Sequence, residues 1–336
     1  MTVGLAAASL LALVEIPYPR VDPVALDLPG PLDVRWYGLG YLVAFGIGYL
    51  LCRRLTRSGF LRLDASHVGD LVFTLVLGVI IGARLGYILF YDFDSFLENP
   101  LRLVRIWEGG LSFHGGLVGV VVSAVYFARK HRIPFLHLAD ALALCTPPGI
   151  FAVRLANFIN GELFGRVATA KVPWAMRFPT DPTAMRLLGA TEAHTMRDRE
   201  LLIERAYESG QWEAVRSQVP LRHPSQLYEA IGEGLLVGLI LWTLYALARR
   251  RGWKPAPGLY AGLFLACYGT FRIFIELFRQ PDVQFRNPGD DLGTVLGPLT
   301  MGQTLSLCMV IAGIVVLVRA WRARTAAPAE SAPDPA

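Results

Sequence analysis

Charged side chains are scarce in this sequence: Lys, Arg, Asp and Glu make up 18% of its 336 residues, while 54% are apolar. Soluble globular domains carry about 25% charged residues, so the composition argues against a soluble or disordered chain. Only four cysteines are present, namely Cys52, Cys145, Cys267 and Cys308. They lie in or beside apolar runs and no pair has metal-site spacing, so we interpret them as small core residues.

Seven apolar runs are long enough to cross a bilayer. They fall at 34–51, 68–91, 111–128, 138–158, 227–248, 259–278 and 301–318. A transmembrane helix needs about 20 predominantly apolar residues. The pattern therefore predicts an all-α polytopic membrane protein with seven transmembrane helices.

The basic residues of the short loops lie mostly on one side of this arrangement. They follow the first, third, fifth and seventh runs, at Arg53, Arg54, Arg57, Arg62, Arg129, Lys130, Arg132, Arg249, Arg250, Arg251, Lys254, Arg319, Arg322 and Arg324. Basic short loops stay in the cytoplasm. We therefore expect the N-terminus outside and the C-terminus inside, and we attribute the net charge of +5 to these loops rather than to nucleic-acid binding.

The domain organisation follows from the same pattern. We predict an extracytoplasmic N-terminal arm at 1–33, transmembrane helices 1–4 at 34–158, an extracytoplasmic head at 159–226, helices 5–7 at 227–320 and a disordered cytoplasmic tail at 321–336. The head is polar and contains a helix-like charged run at 197–215. The apolar stretch at 1–14 is too short to span a membrane.

Ionisable residues inside the runs are the candidates for function, because each one costs several kcal/mol in lipid unless it is paired or hydrated. The candidates in or just beyond the runs are Arg84, His114, Asp140, Arg154, Glu162, Tyr268, Arg272, Glu276 and Arg279, together with the uncharged polar residue Asn157. By the predicted topology, all but Asp140 lie toward the outer interface, where Tyr37 of the first run also falls. We expect Asp140 to stabilise the N-terminal dipole of its own helix.

The sequence spacing of these candidates supports the inference that they lie close together. Arg272, Glu276 and Arg279 share one helical face, where Glu276 can pair with either arginine. The run at 138–158 is predicted to end at Asn160-Gly161. Glycines beside Arg84 and His114 permit close approach of backbones or of a substrate.

Several guanidinium groups at one depth indicate an anion, and a lipid phosphate is available there. Neither an acidic cluster for Mg²⁺ nor a Cys/His set for Zn²⁺ is visible, so we predict no metal and no cofactor. Three functions remain open: transfer from a phospholipid to an external nucleophile, transport of an anionic metabolite, and hydrolysis or another headgroup transfer on a lipid phosphate. An ion-pair clamp between helices explains the Arg272 group equally well.

Five segments resemble those of the bacterial phosphatidylglycerol–prolipoprotein diacylglyceryl transferases. The most specific one is RLANFINGELFGR at 154–166. The others are GARLGY at 82–87, SFHGG at 112–116, RHPSQLYE at 222–229 and YGTFR at 268–272. The resemblance extends from about Trp36 to Asp282.

This resemblance implies transfer of the diacylglyceryl group from phosphatidylglycerol to the lipobox cysteine of a prolipoprotein, with release of glycerol 1-phosphate. The implied partners are phosphatidylglycerol, the prolipoprotein signal peptide and membrane lipid. The implied location is the bacterial inner membrane, with the site facing the outer leaflet. The resemblance marks His114, Arg154, Asn157, Gly165 and Arg272 as essential.

We assign four residues to catalysis and eight to lipid binding. The catalytic set is His114, Arg154, Asn157 and Arg272, and the phosphatidylglycerol-binding set is Tyr37, Arg84, Arg154, Glu162, Gly165, Tyr268, Glu276 and Arg279. His114 is the expected proton acceptor for the thiol. Alternatively, His114 is structural or donates a hydrogen bond to the headgroup, and arginine alone lowers the pKa of the thiol.

Overall fold

The structure is a computed structural model, and it describes residues 16–26, 33–105, 109–191, 195–281 and 292–326. The predicted extension at 1–14 and residues 327–336 of the predicted tail lie outside the described residues.

The described residues are mainly helical. In chain order the α-helices are α1 (Trp36–Arg57), α2 (Val68–Tyr91), α3 (Phe93–Glu98), α4 (Phe113–Lys130), α5 (Phe135–Ile159), α6 (Pro182–Leu187), α7 (Met196–Glu208), α8 (Gln211–Val215), α9 (Ser225–Glu229), α10 (Val237–Arg250), α11 (Leu259–Ile275) and α12 (Met301–Ala326). Short 3₁₀ turns occupy Ala65–His67, Pro100–Leu103 and Arg216–Gln218, and a π-helical segment, Ala230–Leu236, joins α9 to α10. Two antiparallel strand pairs complete the fold, β1 (Val24–Leu26) with β2 (Val34–Arg35) and β3 (Thr294–Leu296) with β4 (Leu299–Thr300).

The all-α membrane character predicted from the sequence is confirmed. Five helical stretches of the described chain are long and apolar enough to cross a membrane, at Trp36–Arg57, Ala65–Tyr91, Phe135–Ile159, Ser225–Arg250 and Met301–Thr325. The apolar helix α11, with 17 residues, is shorter. Helix α4 occupies the remaining predicted run with 18 residues but does not belong to this apolar set.

The helix ends differ from prediction in three places. Helix α12 continues to Ala326, so 321–326 are helical instead of belonging to a disordered tail. Helix α11 ends at Ile275, three residues before its predicted end. The charged run at 197–215 divides into α7 and α8 because Gly210, between them, adopts a φ of 75°.

The described residues form two compact units. The first unit comprises the described residues within Met1–Leu42, Ile150–Leu236 and Cys267–Met309, and the second comprises those within Val43–Gly149, Val237–Ala266 and Val310–Ala336. The segment predicted as a separate head groups with the first unit. It has an apolar core of its own, made by Ala184, Met185, Leu188, Ala206, Trp212 and Val219.

Close packing of α2 on α4 dominates the second unit. Glycines recur every fourth residue at Gly78, Gly82 and Gly86, opposite Gly115, Gly119 and Ser123. A Cβ atom added at Gly82 would lie 2.8 Å from the Cα atom of Gly119, and one at Gly86 would lie 2.7 Å from that of Gly115. Small residues at this spacing let membrane helices approach to backbone contact. Of the two predicted uses of these glycines, close approach of backbones or of a substrate, the structure shows the approach of two helix backbones.

Asp140 and the cysteines test the sequence interpretation. Buried Asp140 accepts hydrogen bonds from the backbone N–H groups of Gly258 and Ala261, at 2.7 and 2.8 Å. It therefore caps the start of α11 rather than that of its own helix, α5, which corrects the prediction. The thiols of Cys52 and Cys145 are buried 3.4 Å apart, as predicted for core residues, whereas the prediction is wrong for Cys308, which is exposed on α12.

Candidate active site

Three arginines and three glutamates meet in the first unit. Arg154 comes from α5, Glu229 from the end of α9, Glu233 from the π-helical segment and Arg272 from α11, with Glu276 and Arg279 just beyond it. We call these six residues the arginine–glutamate cluster. Its arginines come from α5 and from the end of α11 and the residues just beyond it, two regions in which the sequence analysis expected them. Two of its three carboxylates come from α9 and the π-helical segment.

One carboxylate, Glu229, is shared by ion pairs with all three arginines of the cluster. The Nε atom of Arg154 lies 2.8 Å from Glu229 Oε2, and Nη1 of Arg272 lies 3.0 Å from Glu229 Oε1. Arg279 Nε also approaches Glu229 Oε1, at 3.4 Å. Glu229 thus contacts all three guanidinium groups and fixes their relative positions.

Glu233 and Glu276 complete the network. Glu233 is 3.8 Å from Nη2 of Arg154 and 3.5 Å from Nη1 of Arg272. Glu276 is 3.1 Å from Nη2 of Arg272. The predicted pairing of Glu276 with Arg272 is present, and Arg279 approaches Glu229.

The cluster is layered by charge. The Glu229 and Glu233 side chains are fully buried, whereas those of Arg154, Arg272 and Arg279 keep 20%, 12% and 13% of their surface exposed. The carboxylates of Glu229 and Glu233 are therefore more deeply buried than the three arginine side chains. A guanidinium group is positive and carries only N–H donors, so the partly exposed arginines are the groups that an anion could reach.

Two glycines place the glutamates between the arginines. A Cβ atom at Gly234 would lie 2.8 Å from the backbone nitrogen of Phe151 on α5, and one at Gly232 would lie 3.0 Å from Ile275 on α11. Both glycines belong to the π-helical segment, a form that occurs frequently at functional sites. Their lack of side chains lets the Arg154 and Arg272 helices approach this segment closely.

The carboxylate of Glu276 packs against the residues at the start of α12. Its Oε1 atom accepts a hydrogen bond of 3.2 Å from the hydroxyl of Thr300. A Cβ atom at Gly302 would lie 2.6 Å from the carboxyl carbon of Glu276. The glycine therefore leaves room for the carboxylate that orients Arg272.

The C-terminal end of α5 holds the Asn157 part of the site. The side-chain amide of Asn157 donates to Glu162 Oε1 at 2.8 Å, across a turn in which Gly161 has a φ of 65°. Helix α5 ends at Ile159, as predicted. The Tyr18 hydroxyl donates to the carbonyls at the end of this helix, and burial raises the pKa of that hydroxyl.

Gly165 lies where three backbone segments cross. Its N–H donates to the carbonyl of His223 at 2.7 Å, and Gly165 also pairs with Arg279 in an antiparallel bridge. An added Cβ atom would lie 2.8 Å from the Cβ atom of His223. The structure thus gives Gly165 a packing role beside the cluster.

The two predicted tyrosines differ in their surroundings. Tyr37 is exposed near the start of α1, and its hydroxyl lies 3.2 Å from that of Tyr41. Tyr268 lies one turn before Arg272 on α11 and is partly buried.

Arg84 and His114 belong to the second unit. Arg84 is buried and donates to backbone carbonyls: Leu103 at 3.3 Å, Gly109 at 2.5 Å, Gly110 at 3.0 Å and the carbonyl of Arg102. These contacts hold the chain at 102–103 and at 109–110 against α2, and the lipid contact of Arg84 stays a prediction. His114 is exposed in the first turn of α4, two residues after Ser112, whose hydroxyl accepts from Gly115 N.

Sequence interpretation did not select Glu229, Glu233 and the histidine at 223 as site residues. The two glutamates lie inside the apolar run at 227–248, where an ionisable residue is itself a signal. His223 Nδ1 lies 3.0 Å from the hydroxyl of Tyr228, which accepts from the indole N–H of Trp174 at 2.6 Å. Burial lowers the pKa of His223, so its ring is neutral at pH 7.

The chemistry available to the cluster is recognition of an anion by guanidinium groups. Arginine remains protonated when buried and matches phosphate oxygens in pairs. Within the described ranges, no three His, Cys, Asp or Glu side chains converge in a way that could hold a metal ion. The fold and the cluster define a polytopic membrane protein with a polar centre of three arginines and three glutamates.

Comparison with known proteins identifies the family. A family model, prolipoprotein diacylglyceryl transferase, matches residues 23–319. A phosphatidylglycerol–prolipoprotein diacylglyceryl transferase of Sodalis glossinidius (strain morsitans) is 43% identical over 309 residues, which cover 91% of this chain and 95% of that protein. Proteins of the same name from Yersinia pestis (strain Pestoides F) and Yersinia pseudotuberculosis (serotype O:1b, strain IP 31758) are 42% identical over 312 residues, covering 92% of this chain and 96% of each relative.

The chain therefore belongs to the prolipoprotein diacylglyceryl transferase family. It is a transferase of lipoprotein biosynthesis and a multi-pass membrane protein. The family resemblance stated from its motifs is confirmed.

Proposed function

We propose that this diacylglyceryl transferase holds the phosphate of phosphatidylglycerol on Arg154 and Arg272 while the diacylglyceryl group passes to the lipobox cysteine of a prolipoprotein. The observation that carries the proposal is the difference in burial within the cluster, where Glu229 is fully buried and the Arg154 and Arg272 side chains stay partly exposed. A phosphodiester that reaches these arginines would receive charge-assisted hydrogen bonds from preoriented donors.

The transfer is a displacement at the glycerol carbon that bears the phosphate. The cysteine sulfur forms the new C–S bond, the C–O bond to phosphate breaks, and glycerol 1-phosphate leaves with the bonding electron pair. Arg154 and Arg272 would stabilise the charge that grows on the departing phosphate oxygen. Glu229 and Glu276 would keep both guanidinium groups oriented, and Arg279 would add a third positive charge.

The thiol has to lose a proton, because only a few per cent of a free cysteine with a pKa of about 8.5 is thiolate at neutral pH. We assign this proton to His114, from its motif and its exposed position in the first turn of α4. Asn157 and Glu162, which are hydrogen-bonded to each other, would orient the glycerol headgroup. Tyr37, Gly165 and Tyr268 would shape the lipid site, and Arg84, which donates to backbone carbonyls of its own unit, would support it from there.

The finer topology is part of the proposal. Seven helices, α1, α2, α4, α5, the α9–α10 stretch, α11 and α12, would cross the bacterial inner membrane with the N-terminus outside and the site at the outer leaflet. The positive-inside distribution of loop arginines and lysines supports this orientation. A reporter enzyme that is active only outside the cytoplasm should be active when inserted at Gly189 and inactive when fused after Ala326; the opposite pattern would reverse the orientation.

A transfer assay tests the function. Purified protein is incubated with labelled phosphatidylglycerol and a lipobox peptide, and the expected product is a lipidated peptide that requires the cysteine. Release of phosphate without peptide would indicate a hydrolase, and anion flux without turnover would indicate a transporter.

The role of His114 is tested by pH–rate profiles of wild type and His114→Gln. A general base predicts that the variant loses the limb near pH 6–7. His67→Gln, at a histidine on the opposite predicted side, serves as the matched control and should retain that limb. A His114→Gln variant that keeps the limb at reduced height would show that His114 is not the base.

A further inference from the structure

The arginine–glutamate cluster is electrically balanced. Its three guanidinium groups each carry one positive charge and its three carboxylates, when ionised, one negative charge each. The other titratable group on α11 near it, Tyr268, is neutral at pH 7. A site built only for strong anion binding would carry an excess of positive charge, and this cluster does not.

The position of the negative charges decides which anions the balanced cluster can hold. Glu229 and Glu233 are fully buried beside Arg154 and Arg272, within 3.8 Å of their nitrogens. An anion that reaches the partly exposed arginines therefore also lies close to both carboxylates, which lower the positive potential that it meets. The attraction to the arginines grows in proportion to the charge of the anion, whereas the cost of removing the anion from water grows with the square of that charge, so a second negative charge is disfavoured where the positive potential is lowered.

The substrate and the product differ in the charge of their phosphate group. The phosphodiester of phosphatidylglycerol carries one negative charge. Glycerol 1-phosphate is a monoester with a second pKa of about 6, so it is mainly doubly charged at neutral pH.

We propose that Glu233 makes the site selective for singly charged phosphodiesters and thereby weakens binding of the doubly charged product. The inference rests on the proposed binding of phosphate at Arg154 and Arg272. It assigns a specificity-determining role to a carboxylate that the transfer mechanism does not otherwise use.

Glu233 is the residue to change because its ion pairs are the longer ones. Glu229 contacts Arg154 and Arg272 at 2.8 and 3.0 Å, whereas the Glu233 contacts measure 3.8 and 3.5 Å. Removal of Glu229 would release the guanidinium groups from their positions. Glu233→Gln removes one negative charge, keeps the shape of the side chain and leaves the shorter pairs in place.

The first test uses the wild-type enzyme. Inhibition of peptide lipidation by glycerol 1-phosphate is measured between pH 5.5 and 8, relative to the KM for phosphatidylglycerol, whose charge is constant in this range. Selectivity for one charge predicts that inhibition weakens by about ten-fold or more as the inhibitor takes its second charge. Inhibition that strengthens with pH, as at an unbalanced arginine site, would overturn the proposal.

The second test compares Glu233→Gln with Glu213→Gln, the same change at a carboxylate that is exposed in the head. At pH 8, Glu233→Gln should strengthen inhibition by glycerol 1-phosphate about ten-fold relative to the KM for the lipid, and Glu213→Gln should leave this ratio unchanged. An unchanged ratio in active Glu233→Gln overturns the role of Glu233. If Glu233→Gln fails to fold, the wild-type pH series decides by itself, and absence of lipid transfer by the wild type would instead reject the proposed function.

Discussion

Arg84 and the arginines of the cluster show two ways of placing a guanidinium group inside a membrane protein. Arg84, in the second unit, is buried and donates to backbone carbonyls that include those of Leu103, Gly109 and Gly110. Arg154 and Arg272, in the first unit, pair with carboxylates and keep 20% and 12% of their side-chain surface exposed. Both arrangements satisfy the donors of arginine, but only the second leaves a positive surface to a ligand.

The difference lies in the chemistry of the partners. The partners of Arg84 are neutral carbonyl dipoles, so this buried ion joins the chain at 102–103 and at 109–110 to α2. The partners of Arg154 and Arg272 are carboxylates, which offset their charge while both side chains stay partly exposed. An arginine inside a span is thus a stronger functional candidate when part of its side chain stays exposed than when neutral backbone partners bury it.

The largest effect should come from changing Arg272 to Lys. The variant keeps the positive charge but loses the planar fork that contacts Glu229 and Glu276 and presents paired N–H donors. We expect kcat/KM for lipid transfer to fall by about a hundred-fold or more. The measurement is peptide lipidation at several phosphatidylglycerol concentrations.

The same substitution in the second unit provides the contrast. Arg84→Lys should lower the amount and the thermal stability of folded protein, because a single ammonium group cannot reach all four carbonyls, while the activity per folded molecule changes much less. Each charge-assisted hydrogen bond is worth about 1.5–3 kcal/mol, so a loss of several kcal/mol is expected. Equal loss of activity per folded molecule in both variants would remove the distinction between the two arginines.

A smaller effect is expected at the glycines that join α2 to α4. Gly119→Ala places a Cβ atom 2.8 Å from the carbonyl carbon of Gly78, so the helices must separate. We expect a loss of about 1–3 kcal/mol, the usual cost of overpacking, read from thermal unfolding in detergent. Gly46→Ala is the matched control in the same unit, because a Cβ atom there meets nothing within 4 Å; similar loss in both variants would reject the packing explanation.

Hydropathy predicted where the helices lie, since helix formation in lipid depends on local composition. Helix α2 occupies Val68–Tyr91, the predicted run, and the break after α5 falls at its Asn-Gly pair. The sequence was less informative about which residues contact one another. The sequence places Asp140 near the start of α5, but only the folded chain brings the N-terminus of α11 to its carboxylate.

The candidate site shows the same limit. Arginines at one predicted depth indicated an anion site, and Arg272 with Glu276 followed from their spacing of four residues. Glu229 contacts Arg154 across 75 positions of sequence, a pairing that no local pattern contains. The carboxylates that balance the site, and the loop carbonyls that enclose Arg84, therefore had to come from the structure.

The smallest effect should come from an arginine–glutamate pair outside the membrane spans. Arg35 and Glu200 form a two-pronged ion pair, with Nη–Oε distances of 2.5 and 3.0 Å, but the Arg35 side chain keeps 34% of its surface exposed. Water and salt screen such a pair, so Glu200→Gln should lower stability by less than about 1 kcal/mol and leave transfer activity unchanged. Thermal unfolding at low and high salt measures this, with the difference from wild type shrinking at high salt. A loss of several kcal/mol would mean that geometry, rather than burial, determines the strength of these pairs, and the contrast between enclosed and accessible arginines would then need a different physical basis.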